Sequence, residues 1–183
     1  MTRILLVITL MFTLGKLFAQ ERGAFPSDHV LVVGIFDKSE DRYSIEVLLT
    51  ELLNDNGIKA IPSLNVVKTG SDLSILASDS MKQVLELKGI DHSLVVSIRG
   101  YDRKFKPSAE KIDLETALSA GNLFALEKEG MVSISFELQY FKGNDLIKSK
   151  ILKCGNVSTR DSVLKRCRKH LNKEIPAFWK NKK

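Results

Sequence analysis

HVLVVGIF at residues 29–36 is a continuous apolar, β-branched run of strand length, the pattern of a strand covered on both faces and therefore set inside a sheet. The residues after this strand decide the fold. From Asp41 to Asn56 the residues Ile45, Leu48, Leu49, Leu52 and Leu53 recur at i, i+3, i+4, i+7 and i+8, one buried stripe on a helix that Gly57 can end. Residues 58–61 make a short strand stopped by Pro62, and a loop rich in Ser, Thr and Gly runs through Ser71. Ser78 or Asp79 caps a second helix with Met81, Val84, Leu85 and Leu87 as its apolar positions, and Gly89 ends it before the strand SLVVSIRGY at 93–101. Strands alternating with helices of this length predict parallel βαβ units with right-handed crossovers.

Beyond Arg103 the alternation stops. Residues 104–130 carry no clear period: Ile112, Leu114, Ala117 and Leu118 suit a short helix, and Asn122 to Glu127 suit an extra strand. Met131 to Phe141 alternates strictly, with Val132, Ile134, Phe136, Leu138 and Tyr140 on one side and Ser133, Ser135, Glu137 and Gln139 on the other, which predicts a strand with one wet face. KGND at 142–145 is a turn, and Leu146 to Cys154 returns antiparallel, its lysines suiting an edge. Ser158 or Thr159 caps a final helix whose stripe is Val163, Leu164, Cys167, Leu171 and Ile175, leaving a tail from Pro176 that carries Phe178 and Trp179. The fold class expected is α/β: a mixed five-stranded sheet in the order β-α-β-α-β-β-β-α with helices on its faces.

Outward from this domain, the first nineteen residues read as a leader. Arg3 precedes an apolar run from Ile4 to Leu14, and Leu17-Phe18-Ala19 precedes Gln20, the layout of a secretory signal peptide over residues 1–19. The alternative, an anchoring helix, needs roughly 20 apolar residues, more than this run supplies before Lys16 interrupts it. No cysteine stands near the junction, so lipid attachment is not expected there, nor a transmembrane anchor once the leader is gone. Residues 20–183 are the size of one ordinary domain. The expected localisation is exported, periplasmic or secreted.

Charge is segregated along the chain, whose net value is +6. Gln20 to Phe141 holds 13 Lys and Arg against 19 Asp and Glu, net −6, while Lys142 to Lys183 holds 13 against 3, net +10. An exported protein rarely meets nucleic acid. The basic end faces anionic lipid, cell-wall polymer or an acidic protein surface, with Lys165, Arg166, Lys169 and Lys173 as the candidate interaction surface, or else it is a solvated helix face with a frayed tail. Attraction of this kind acts over about 8 to 10 Å at ordinary salt.

Constellations that carry chemistry are scarce. Cys154 and Cys167 either pair in an oxidising compartment, closing a loop worth roughly 3 kcal/mol, or stay as two buried thiols; they make no Cys-x-x-Cys motif and no zinc cluster. Asp91-His92-Ser93 contains the residue types of a hydrolase triad, but neighbours on a strand point to opposite faces. Ser44 and Ser97 lack a nucleophile-elbow setting. His29, His92 and His170 share no metal-ligand spacing, although His29 and His92 become neighbours if their strands are adjacent. Gly34 and Gly100 stand outside any phosphate-cradling loop and fit close packing or a bulge. Asp37, Glu40 and Asp41 either hold a cation or form a solvated loop that favours the start of the next helix.

The order of elements, together with LLNDNGIKAIPS (52–63), ELKGIDHSLVVSIRGY (86–101) and the hairpin from Val132 to Leu152 around Gly143, resembles a group of envelope domains. These are the amino-terminal domain of the Tol-Pal translocation protein, the periplasmic domain of the curli-secretion channel and the penicillin-binding-protein activator lipoproteins. The resemblance covers His29 to about Ile175. It implies an anticodon-binding-domain-like sheet serving as a protein-binding module without catalysis. The chain lacks the junction cysteine of the lipoprotein members and the propeller of the Tol-Pal relative, which leaves anchoring and Tol partnership open.

The sequence therefore predicts a small exported envelope protein that is no enzyme, binds no cofactor or metal, and meets another envelope protein through the segment from Lys104 to Gly130 or through its basic last helix. Two alternatives stay open. One is a hydrolase or small-ligand binder with its site at the loops after the parallel strands, near Asp37, Asp41 and Asp102. The other is a basic helix that binds anionic lipid or cell wall.

Overall fold

A computed structural model describes residues 29–107, 110–119 and 124–179, the last three of these as backbone only. The expected leader lies outside the described residues, as do the side chains of Phe178 and Trp179. The elements run β1 (Val30–Ile35), α1 (Ser39–Asp55), β2 (Ala60–Pro62), α2 (Asp79–Leu87), β3 (His92–Tyr101), α3 (Leu114–Leu118), β4 (Ser133–Lys142), β5 (Asp145–Gly155) and α4 (Arg160–Trp179), with short 3-10 turns at 63–65 and 73–77. They form the expected mixed sheet, in the order β2-β1-β3-β4-β5. β1 runs parallel to both neighbours, Val30 facing Ala60 on one side and His92 on the other. β3–β4 and β4–β5 are antiparallel, so the lysine-bearing β5 is an edge.

Two cores result, one on each face. Alternate residues of the strands, Val30, Val32, Leu94, Val96, Ile134, Phe136 and Tyr140, meet the α1 stripe and the Val163, Cys167, Leu171 and Ile175 stripe of α4. The other alternates, Leu31, Val33, Ile35 and Val95, meet Leu76, Leu85, Leu114 and Leu118. β1 contributes to both, which is why its run is uninterrupted.

Local chemistry sets the ends. Gly57 at φ 78 turns the chain out of α1, with Ile58 N–H donating to the Leu53 carbonyl at 3.0 Å. Ser78, not Asp79, caps α2 by accepting from Met81 N–H at 3.3 Å. Thr159 Oγ1 accepts from Ser162 N–H at the start of α4. Gly100, at φ 146 beside a β-bulge, leaves room for Phe105, whose ring would lie 2.6 Å from a Cβ there.

The structure departs from the sequence reading in four places. In α2, Leu85 alone is buried, while Leu87 is 89% exposed. Nine residues give this helix only two turns of contact, and Met81 and Leu85 at i, i+4 take it. The polar side of β4 is not wet: Ser133, Ser135, Glu137 and Gln139 are all buried. Glu137 lies 3.1 Å from Arg99 Nε and accepts from Ser149 Oγ at 2.8 Å, so side chains from β3 and β5 close over β4 between them. Residues 124–127 form no strand. Finally, α4 continues through Pro176, which has no N–H to donate to the carbonyl of Asn172.

Candidate functional site

α1 and α4 lie side by side on one face of the sheet and leave a groove of about 280 Å³ between them, lined by Tyr43, Val47, Leu48, Leu164, Lys165 and Arg168. Their periodicities produce it. Each helix gives its apolar stripe to the sheet, and the flanking positions on both helices then meet at the surface. Tyr43 is 60% exposed at the groove. Two ion pairs hold the walls in register, Arg168 to Glu51 at 2.7 Å and Arg160 to Asp41 at 2.7 Å, with Glu40 3.4 Å from Arg160. Of the candidate interaction residues, Lys165 lines the groove, while Lys165, Lys169 and Lys173 recur at i, i+4 and i+8 on an exposed line of α4 and Arg166 is half-buried beside it. Sequence reasoning missed Tyr43 and Arg168. Both sit off their helix stripes, and no spacing rule relates two helices far apart in the chain.

The three aspartates after the parallel strands do not converge. Asp37 lines an open crevice of about 660 Å³ at the end of β1, together with Ser39, Arg42, Thr69, Asp72 and Ser119. Asp41 points elsewhere and is 1% exposed, one oxygen on Arg160 and the other accepting from Leu126 N–H at 2.8 Å. It is therefore not part of a solvated loop, because the start of α4 brings a guanidinium over it, and this carboxylate in turn holds Arg160 more firmly protonated. Asp102, at φ 55, accepts from Val132 and Ser133 N–H at 2.9 and 2.8 Å and so pins the entry to β4.

Under the crevice sits a buried network that no sequence motif announced. Glu46 is fully buried, and its Oε1 accepts from Gly34 N–H, Arg42 Nε and Ser63 Oγ at 2.9, 2.9 and 2.6 Å, while Oε2 accepts from Leu64 N–H at 3.1 Å. Arg42 Nη2 donates to Ser63 Oγ at 2.7 Å. The i,i+4 spacing of Arg42 and Glu46 was visible, but that spacing on a helix ordinarily describes an exposed pair.

Hydrogen-bond donors hold three carboxyls below the ordinary value of 3.8: the Ser74 N–H for Asp72, the Val132 and Ser133 N–H groups for Asp102, and the Thr116 hydroxyl and then its N–H for Asp113. A depressed folded-state value means that their contribution is complete above about pH 4 and is lost as pH falls through the folded values. The melting temperature should therefore decline below about pH 4. In Asp102→Asn part of that decline should vanish, and a parallel curve for the variant would show that the β4 entry does not titrate.

The remaining candidates stay apart from one another. His92 Nδ1 lies 2.5 Å from Asp91 Oδ1 and its ring stacks on Tyr140, centroids 5.3 Å apart, while Ser93 points to the opposite face, so no triad forms. His29 bonds the Lys88 carbonyl at 3.0 Å, and His170 lies on α4. Among the described residues no three His, Cys, Asp or Glu side chains gather where a metal ion could sit. The segment from Lys104 to Gly130 is anchored at several points: Leu126 is buried, Tyr101 donates to the Ala125 carbonyl at 2.6 Å, and α3 contributes Leu114 and Leu118 to the second core. Among the described residues no helix is long and apolar enough to cross a membrane.

Among solved structures, the chain is similar to a lipoprotein from Neisseria meningitidis, at 12% identity and TM-score 0.45, covering 81% of this chain and 98% of that one. It is also similar to the PelC dodecamer from Paraburkholderia phytofirmans, in one crystal form at 8% identity and TM-score 0.44 over 81% of this chain and 88% of that one. In a second form the values are 10% and 0.41 over 80% and 87%. Likeness this distant says nothing about what the chain does. No protein-family model and no curated protein sequence matches it.

Proposed function

We propose that this chain is an exported, non-enzymatic module that binds another envelope protein through the groove between α1 and α4. The observation that carries the reading is the groove itself: an exposed Tyr43 over an apolar floor of Val47, Leu48 and Leu164, with Lys165 and Arg168 on the rim. Tyrosine and arginine are the side chains that most often dominate protein–protein binding energy, because each combines apolar area with a polar end. The leader-like first nineteen residues supply the compartment. The charged groups bordering the crevice at β1 support this reading too, since Arg42 is engaged with Glu46 and Asp72 with Ser74 N–H rather than converging on a shared point.

A photo-crosslinking side chain at position 43 in the full-length protein should capture one partner of defined mass from envelope extracts. The same probe at the exposed Leu87 should not. With the probe moved to Lys165 across the groove, Tyr43→Ala should weaken capture roughly tenfold, about 1.4 kcal/mol, in keeping with truncation of an anchoring aromatic. Identical patterns from positions 43 and 87 would remove the groove as the binding surface.

The 660 Å³ crevice favours a second reading, a small polar ligand held by Ser39, Thr69 and Asp37. Tyr43→Ala leaves that site intact, so ligand protection of the melting temperature that survives the substitution separates the two readings.

A further inference from the structure

Cys154 lies at the end of β5 and Cys167 about two turns into α4. Both are buried, and both belong to the single apolar cluster between the sheet and α4. Cys154 stands opposite Ile134 on β4, whose side chain is in that cluster, and Cys167 falls between Val163 and Leu171 on the stripe that α4 turns to the sheet. The strand end and the helix stripe thus bring the two side chains to one strand–helix contact, where the Cys154 thiol is the first influence that raises the Cys167 thiol.

We propose that Cys154 and Cys167 are joined by a disulfide in the exported protein, formed by exchange with a disulfide oxidant of the glutathione or thiol-oxidoreductase class before α4 docks. One cysteine thiolate attacks the oxidant's disulfide, giving a mixed disulfide and releasing one oxidant thiolate. The second cysteine's thiolate then displaces the other half. Two electrons pass to the oxidant, which leaves as two thiols carrying the two protons, and the S–S bond remains in the chain. The order of events comes from burial. Inside the folded cluster the Cys167 thiol is pushed well above its ordinary value by the Cys154 thiol and by burial, so little thiolate exists there to react. In the undocked helix both thiols are accessible.

The bond closes a loop of about 14 residues and fastens α4, which carries Leu164, Lys165 and Arg168 of the groove, to the otherwise open edge strand. It does not depend on the groove having a partner. The bridged chain should melt ~6–12 °C above the reduced chain.

The test uses the full-length protein, reduced and unfolded, then refolded in a mixture of oxidised and reduced glutathione, denatured without reductant and alkylated. Peptide mass spectrometry should find Cys154 linked to Cys167 within one chain, with both sites alkylated only after reductant, and the reductant-dependent melting shift should vanish in the Cys154→Ala/Cys167→Ala variant. Two freely alkylated thiols, glutathione adducts at either position, or linkage between two chains would each overturn the proposal. Equal melting temperatures with and without the bridge would overturn its fastening role.

Discussion

Glu46→Ala should lower the unfolding free energy by about 3–5 kcal/mol, read as a shift of the urea midpoint at unchanged slope. The carboxylate is fully buried and accepts from four donors: two backbone N–H groups, the Ser63 hydroxyl and the Arg42 guanidinium. Truncation strands all four together, and Arg42, only 7% exposed, then holds a charge without its counter-charge. Each orphaned neutral donor adds about 1–3 kcal/mol, but the losses overlap because they share one oxygen pair and the crevice admits water at Arg42. That overlap keeps the total near the value for breaking a single buried pair. Removing both charges, as in Arg42→Met/Glu46→Leu, should recover only the part owed to the unpaired guanidinium, because Gly34 N–H, Leu64 N–H and the Ser63 hydroxyl still lose their acceptor. A single-variant loss below about 1 kcal/mol would show that water already reaches Glu46.

The network ties the crevice end of the sheet to its surroundings. Its strongest charges hold α1 to β1 through Gly34 and to the turn after β2 through Ser63 and Leu64. Glycine at 34 belongs to the same arrangement, because a Cβ there would meet the Phe36 ring at 2.9 Å.

The range over which each signal acts decides how much of this was legible in the sequence. β1 was readable as a central strand because burial on both faces demands an unbroken apolar run, and α1 and α4 because a single buried stripe repeats every turn. The β4–β5 hairpin was readable from strict alternation ended by KGND. Alternation could not reveal that Glu137 is covered, since that depends on Arg99 and Ser149 reaching across from neighbouring strands. Nor could it show Asp41 beneath Arg160, a pair far apart in sequence and joined only when α4 docks on α1. The groove belongs to the same class. Lys165 was legible as part of a basic helix face, but Tyr43 becomes its neighbour only through helix–helix packing, for which no local period exists.

That packing rests on Phe136, and Phe136→Ala should lower the unfolding free energy by about 3–5 kcal/mol. Phe136 is fully buried in the central part of β4, opposite Ile98 on β3 and Leu152 on β5, on the face that α1 and α4 cover. Alanine removes the whole ring, and the surrounding backbone is fixed by pairing on both sides, so the space cannot collapse as it might under a loop. Phe136→Leu keeps most of the volume and should lose less than about 1.5 kcal/mol. Because β1, β3 and β4 contribute side chains to the cores on both faces, the destabilised protein should still unfold in one transition, with far-ultraviolet dichroism and pulsed alkylation of the buried Cys167 in reductant sharing a midpoint. Separate midpoints would mean that α4 leaves the sheet before the sheet itself opens. An Ala variant within about 1 kcal/mol of the parent would mean that α1 and α4 are not seated on this face, and the groove between them would lose its basis.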